Sequence, residues 1–463
     1  MKTICALQDR GLVGIIVFLL GMGTLLPWNF FITALDYFNE RLNTKATGNV
    51  SETVQTPDPY MFDNMCVLIS QLPLLLFTFL NSFLYQHIAE RIRIAGSMIF
   101  ILLLFILTAI LVNVRIEQDV FFSITMTTIW FINMFVAVLQ GSLFGLVGKF
   151  PQKYSSLFMS GQAVAGIFAA VAMLISKISK TDNKTAALGY FTTPCVATLL
   201  TLCSYLLLPH LKPARLYFED GTSNKEETRQ EVLEQQESVT LMKVKFSDAN
   251  CNGESLLNGP DPQVFQTMNV NGKLEEMCEG KSTVMAVFKK IWLMALCVTC
   301  VFMVTLSVFP VVTVLVKPDR LFTGIWDDIF TPLCCFLVFS VMDWIGRSVT
   351  SVFQWPSKDS CLFPIFVAAR VIFIPGLMMC NIPSDINNHL PVLFKHEFAY
   401  IAVMSLFAIT NGYFGCLSMS YAPQLVRCRD AETAGALMTF FLTLGLSLGA
   451  ALSFGLKNLL TSY

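Results

Sequence analysis

Asp343 and Arg347 stand four residues apart inside the apolar stretch FLVFSVMDWIGRSVTSVF. On one helix face, a carboxylate and a guanidinium at that spacing can hold each other and still offer an acceptor and donors to a ligand. A charge at bilayer depth costs at least about 2.5–3.5 kcal/mol, so it persists where it is paired or lines a polar cavity. The chemistry implied is hydrogen-bonded recognition of a polar solute. Gln140, in INMFVAVLQGSLFG, adds an amide that needs partners in hydrocarbon. It either bonds a neighbouring helix or reads the edge of a heterocycle, and Asn29 and Gln71 present the same two alternatives. Trp28, in GTLLPWNFF, is either an interfacial belt residue or a flat wall against an aromatic ring.

Missing patterns narrow the class. No GxxxxGK[ST] occurs, which argues against an ATP-driven pump. Carboxylates do not cluster within the apolar runs as a proton relay or cation-coupled carrier would often require. The four histidines, His87, His210, His389 and His396, fall in loops or at run ends. A net charge of -1 with no concentrated basic face argues against nucleic acid as a partner. Fourteen scattered cysteines, many within apolar runs, read as small hydrophobes. The residues predict no enzyme, no cofactor and no metal.

The elements that must position these side chains are membrane helices. The chain has 463 residues, 54% hydrophobic and 14% charged, with mean hydropathy +0.62. It therefore reads as an all-α integral membrane protein. Eleven apolar runs can each span the bilayer: 11–33, 62–86, 93–114, 120–148, 155–178, 187–208, 288–315, 328–353, 361–381, 398–422 and 431–458. Pro27, Pro73, Pro310 and Pro375 interrupt such runs and predict bends. Gly141 with Gly145, Gly161 with Ala165, and Gly445 with Gly449 predict close helix approach. Arg370 and Glu432 are placed near run ends, where snorkelling or a cytoplasmic ion pair accounts for them.

Lys and Arg are balanced between the short loops of the two sides, so orientation rests on two other signals. The long segment 209–287 carries Lys212, Arg215, Lys289 and Lys290 close to its flanking helices, as a cytoplasmic loop does. The sequons at Asn49 and Asn183 fall in the first and fifth loops, opposite that segment, and mark candidate glycosylation sites. The N-terminus is thus expected inside and the C-terminus outside. Residues 1–208 form a six-helix bundle, 209–287 a disordered cytoplasmic loop, and 288–463 a five-helix bundle. Such a 6+5 layout suggests two halves around a central path.

The motifs GTLLPWNFF, LPLLLFTFLNSFL, LQGSLFG, MSGQAVAG, SVFP, MDWIGRS and ETAGALM make the chain resemble the equilibrative nucleoside transporters over essentially every span. The resemblance implies an eleven-helix, major-facilitator-like uniporter of the plasma membrane. Such a carrier moves purine and pyrimidine nucleosides, and nucleobases, down their gradient. By position, Asp343 and Arg347 would bond the ribose hydroxyls and Gln140 would contact the base. Leu25, Trp28, Ile32, Gln71, Leu74 and Leu446 would line the pocket. Phe309 and Pro310, with Asn29, would lie at a gate. Ser340 stands where the family commonly has Asn, and Val136 where a small residue is usual, which bears on a polar contact and on inhibitor sensitivity. Two readings from other classes stay open: a proton-coupled carrier, and a receptor or scaffold in which Asp343 and Arg347 form only a structural pair.

Overall fold

Apolar side chains cover the outside of this fold as well as its core, and many polar ones are buried among the latter. Along residues 62–84, Leu68, Leu72, Leu76, Phe79 and Phe83 are exposed while Ser70, Thr78, Asn81 and Ser82 are buried. That inversion is expected where the surrounding solvent is hydrocarbon and hydrogen bonds must be made internally. Buried hydroxyls are accommodated by bonding back along their own helix: Thr78 donates to the Leu74 carbonyl at 2.8 Å and Thr128 to that of Ile124 at 2.8 Å. The computed structural model describes residues 2–43, 62–84, 88–114, 116–179, 183–211, 283–318, 325–383 and 391–461.

The helices, in order, are α1 (Lys2–Thr33), α2 (Leu35–Asn43), α3 (Phe62–Leu84), α4 (Glu90–Asn113), α5 (Gln118–Gly148), α6 (Gln152–Ile178) and α7 (Asn183–Leu207). After the long segment come α8 (Val284–Val308), α9 (Ile325–Phe330), α10 (Val338–Val349), α11 (Leu362–Ala369), α12 (Phe373–Met378), α13 (Glu397–Tyr421) and α14 (Ala431–Thr461). Among the described residues, nine helical stretches are long and apolar enough to cross a membrane. Two shorter apolar helices, Leu68–Phe83 and Leu362–Met378, occupy the second and ninth expected spans. The chain is thus a multi-pass, all-helical membrane protein.

Three of the expected spans are not continuous helices. Pro310 does not bend the seventh span but ends it: Phe309 turns extended, at φ -100° and ψ 129°, as a residue before proline prefers. A 3₁₀ turn, Thr313–Leu315, follows. The eighth span runs from α9 through a wide π segment, Thr331–Leu337, into α10. The ninth is divided by a 3₁₀ turn at Arg370–Ile372. Pro27 and Pro73, by contrast, remain inside α1 and α3.

Packing sorts the helices into neighbourhoods. α1 lies on α6 and α7, α3 and α4 lie on α5, and α4 also meets α7; later in the chain α8 packs on α14 and α13, and α10 on α13. The earlier helices meet the later ones where α14 packs on α5 and α3, and where α10, the π segment Thr331–Leu337, α13 and α9 pack on α6. The small residues enable these approaches. A Cβ added at Gly161 would clash with the Phe18 carbonyl, and one at Gly445 or Gly449 would sit 2.5–2.6 Å from the carbonyls of Thr299 or Met303.

Residues 212–282 of the long segment and Asn49 lie outside the described residues. Asn183 opens α7, but its side chain is likewise outside them. His210 sits in the turn after α7 and His396 caps α13, whereas His87 and His389 are not among the described residues.

Candidate functional site

Asp343 and Arg347 share one face of α10, and both are buried. Arg347 Nε donates to Asp343 Oδ2 at 2.8 Å, the contact their spacing predicts. A buried pair recovers its desolvation cost only when further hydrogen bonds serve its remaining atoms. Two do so here. Asn411 Nδ2, from α13, donates to Asp343 Oδ1 at 2.7 Å, and Arg347 Nη1 donates to the Met159 carbonyl of α6 at 3.2 Å. Among the described residues, Nη2 of Arg347 has no hydrogen-bond partner. The carboxylate is therefore oriented on both oxygens, while its guanidinium bridges α10 to α6 with a donor to spare.

A line of hydroxyls extends this contact between α6 and α10. Trp344 Nε1 donates to Ser160 Oγ at 2.9 Å, Ser160 and Ser348 share a bond of 3.1 Å, and Thr350 Oγ1 donates to Ser156 Oγ at 3.1 Å. Ser340 belongs to the same interface, since a Cβ at Gly166 of α6 would stand 3.1 Å from its hydroxyl.

Arg370 is where the sequence reading fails. It is neither near an end of the 361–381 run nor snorkelling; it sits in the 3₁₀ turn after α11, midway along that run, at 2% exposure. Its guanidinium donates to the Val301 carbonyl at 2.9 Å, to Thr305 Oγ1 at 3.1 Å and to Thr410 Oγ1 at 3.3 Å, and lies 5.4 Å from the centre of the Phe407 ring. Thr305 in turn donates to Asn411 Oδ1 at 2.7 Å. Thr305, Asn411 and Arg370 were all missed as site residues.

The remaining expected site residues fall into three groups. Gln71 accepts a hydrogen bond of 3.5 Å from Ser447, which follows Leu446 on α14, and Leu74 lies one turn along α3. Gln140 is buried on α5, as is Val136 one turn before it. On α1, Leu25 and Trp28 are half-buried against the core and Ile32 is exposed. The Trp28 ring is parallel to Phe31 at 6.1 Å, and Phe31 stacks on Phe38 at 5.2 Å. Among the described residues, no hydrogen bond or ring contact links Trp28, Gln71 or Gln140 directly to Asp343. Of the expected gate residues, Phe309 stacks face to face on Phe339 at 4.0 Å and meets Phe336 edge-on at 5.8 Å. Asn29 instead donates to the Leu25 carbonyl of its own helix at 2.9 Å.

Glu432 does enter ion pairs, at the start of α14. Arg93 Nη2 meets Glu432 Oε1 at 2.9 Å, and Lys149 Nζ meets both Glu432 Oε2 at 3.1 Å and Glu90 Oε2 at 2.8 Å. Arg93 also donates to Ser142 at 3.0 Å. Burial by itself would lower the Lys149 pKa, but Glu90 and then Glu432 outweigh it and hold the ammonium above the ordinary lysine value. This cluster clasps α4 and α5 to the start of α14.

Comparison with known proteins agrees with this architecture. A family model described as nucleoside transporter matches residues 126–458. The chain is 51% identical over 456 residues to equilibrative nucleoside transporter 2 of Rattus norvegicus, covering 97% of each chain. It is 50% identical over 460 residues to equilibrative nucleoside transporter 2 of Homo sapiens, again covering 97% of each. Equilibrative nucleoside transporter 1 of Homo sapiens is 42% identical over 465 residues, with 96% of this chain and 97% of that one covered. Among solved structures, the major facilitator superfamily proton:xylose symporter XylE superimposes with a TM-score of 0.58 at 11% identity, covering 96% of this chain and 88% of that one. The human organic anion transporter MFSD10 does so with a TM-score of 0.52 at 10% identity, covering 98% and 96%. At those identities the shared property is the major-facilitator-like fold. The chain belongs to the nucleoside transporter family.

Proposed function

We propose that this protein is a facilitative carrier of purine and pyrimidine nucleosides, and of nucleobases, acting in the plasma membrane by alternating access. The observation that carries the reading is the Asp343, Arg347 and Asn411 group. It offers an ionised acceptor fixed on both oxygens beside a guanidinium whose Nε and Nη1 are held and whose Nη2 has no hydrogen-bond partner among the described residues. A ribose presents adjacent hydroxyls, each able to donate to the carboxylate and accept from the guanidinium. Each such charge-assisted bond contributes about 1.5–3 kcal/mol, enough to select a sugar and weak enough to release it.

The base, flat and apolar on its faces, suits a slot of aromatic and aliphatic side chains with a few fixed polar groups. Leu25, Trp28, Ile32, Leu74 and Leu446 are assigned to that slot, with Gln71 and Gln140 facing the ring edge. The stack of Phe309 on Phe339 supports a gate at the end of α8, which would include Pro310 and Asn29. Relatives named as equilibrative nucleoside transporters support the substrate class and uncoupled transport.

The reading carries the topology with it. Eleven spans place the N-terminus inside and the C-terminus outside, with bundles at 1–208 and 288–463 and a cytoplasmic tether at 209–287. Asn49 and Asn183 face outside as glycosylation sites. No second reading is favoured. A carboxylate that ferries a proton must part from its cation in each cycle, whereas Asp343 is bonded to Arg347 and lies within the field of Arg370 as well.

Purified protein in liposomes tests the reading. With no ion gradient, labelled uridine and hypoxanthine should enter until concentrations are equal on both sides, and a free hexose should not. Accumulation beyond equality under an imposed Na⁺ or pH gradient would overturn it.

A further inference from the structure

Arg370 is a cation in the membrane interior whose direct partners, among the described residues, are all neutral: two hydroxyls and the carbonyls of Val301 and Phe407. The carboxylate whose field reaches it is Asp343. A buried charge persists when a counter-charge or a well-ordered set of dipoles compensates it. Here the compensation runs through two side chains, and its direction is fixed by chemistry.

A guanidinium can only donate. Arg370 Nη2 therefore obliges Thr305 Oγ1 to accept, leaving the Thr305 hydroxyl one proton to give. Two acceptors compete for that proton: Asn411 Oδ1 at 2.7 Å and the Val301 carbonyl at 2.8 Å. Arg370 Nη1 already occupies the Val301 carbonyl at 2.9 Å, and that carbonyl also serves the backbone ladder of α8. The proton is thus directed to Asn411 Oδ1. An amide that accepts at its oxygen must present its NH₂ on the other side, where Asn411 Nδ2 meets Asp343 Oδ1 at 2.7 Å. Each bond in the series from Arg370 through Thr305 and Asn411 points toward Asp343.

We propose that Arg370 is a positioning residue for sugar recognition, orienting Asp343 through the ordered relay of Thr305 and Asn411 without touching the substrate. This rests on the assignment of Asp343 and Arg347 to the ribose. The relay holds one carboxylate oxygen as Arg347 holds the other, so the remaining lone pairs keep a fixed aim at the sugar. Without Arg370, the Thr305 proton returns to the Val301 carbonyl, and the Asn411 amide loses the donor at its oxygen and is held to Asp343 at one end only. The consequence is specific: ribose contacts weaken, while a nucleobase, which has no sugar, is spared.

The decisive variant is Thr305→Val, which preserves volume and charge and cuts the relay at its first step; Arg370→Met and Arg370→Lys accompany it. KM and Vmax for uridine and for hypoxanthine would be measured in proteoliposomes, with thermal midpoints in detergent. In Thr305→Val the uridine KM should rise about tenfold, the loss of one well-placed bond, while the hypoxanthine KM stays within about twofold of parental. The same substitution on an Asp343→Asn background should add nothing further.

Arg370→Lys should retain part of the uridine affinity that Arg370→Met loses. If Arg370→Met does not fold, Thr305→Val carries the test alone. A folded Thr305→Val that keeps parental uridine KM, or loses both substrates equally, overturns the proposal. Absence of uridine uptake by the parental protein would instead remove the functional reading beneath it.

Discussion

Gly412 lies against the carbonyl of Asp343, so close that a Cβ at this position would collide with it. Gly346 makes the reciprocal approach to the carbonyl of Ile409. The two glycines let α10 and α13 meet backbone to backbone, and the residue beside Gly412 is Asn411, whose short side chain then reaches the carboxylate at 2.7 Å. Helix packing and recognition chemistry are set by the same pair of positions.

Gly412→Ala should therefore lower stability and uptake together. Forcing a methyl into a packed contact costs about 1–3 kcal/mol, and the separation it demands takes Asn411 away from Asp343. A fall in the thermal midpoint of the purified protein, with reduced uridine uptake, is the expected result. Gly96→Ala is the control, because nothing lies within 4 Å of a Cβ there.

Asp343 and Arg347 were legible because a charge in an apolar run is conspicuous and a spacing of four fixes a helical contact whatever the tertiary arrangement. Asn411 and Thr305 were not. An amide or hydroxyl within a span has undemanding roles available, and their partners lie 68 and 106 residues away across helices whose register no local pattern records. Arg370 was misread because the 361–381 run was treated as one helix with its cation toward an end. Its place midway along that run was the signal pointing inward, and the 3₁₀ turn was not legible in an unbroken apolar stretch. Nine of the expected spans were plain from length and hydropathy, while the ending of α8 before Pro310 required knowing that the chain had somewhere to turn.

The Glu432 cluster predicts a conformational effect. Removing one member of a buried pair costs about 3–5 kcal/mol because the other charge is stranded, and Glu432 serves both Arg93 and Lys149. Glu432→Gln should loosen the join of α14 to α4 and α5, raising the labelling rate of a cysteine introduced at Ser142. Exchanging the charges, as Arg93→Glu with Glu432→Arg, should restore part of the protection. Unchanged labelling in Glu432→Gln would show that helix packing alone holds α14 to α4 and α5.

The stack of Phe309 on Phe339 is worth about 0.5–1.5 kcal/mol beyond the area it buries. If it closes the path at the end of α8, Phe309→Ala should accelerate uridine exchange or raise leak of small solutes through reconstituted protein, whereas Phe309→Tyr should behave as parental. Equal exchange rates in all three proteins would place the gate elsewhere.

The sharpest discrimination concerns the pair itself, because a structural ion pair and a sugar-binding pair make different demands. Removing one partner strands a buried charge, so Asp343→Leu and Arg347→Met should each damage folding as well as transport. Removing both together is often neutral for stability, and the double variant should therefore reach the membrane with a thermal midpoint closer to parental than either single variant. A purely structural pair would then leave transport intact. A sugar-binding pair would not: uridine uptake should be lost, while hypoxanthine uptake, which needs no ribose contact, should fall less. The control is Asp430, buried at 1% exposure outside the site and ion-paired with Arg427, whose Nε lies 3.4 Å from its Oδ2; disturbing that pair should alter both substrates alike. A folded double variant that carries uridine at the parental rate would remove Asp343 and Arg347 from the substrate site and leave them as a device for joining α10 to α6 and α13.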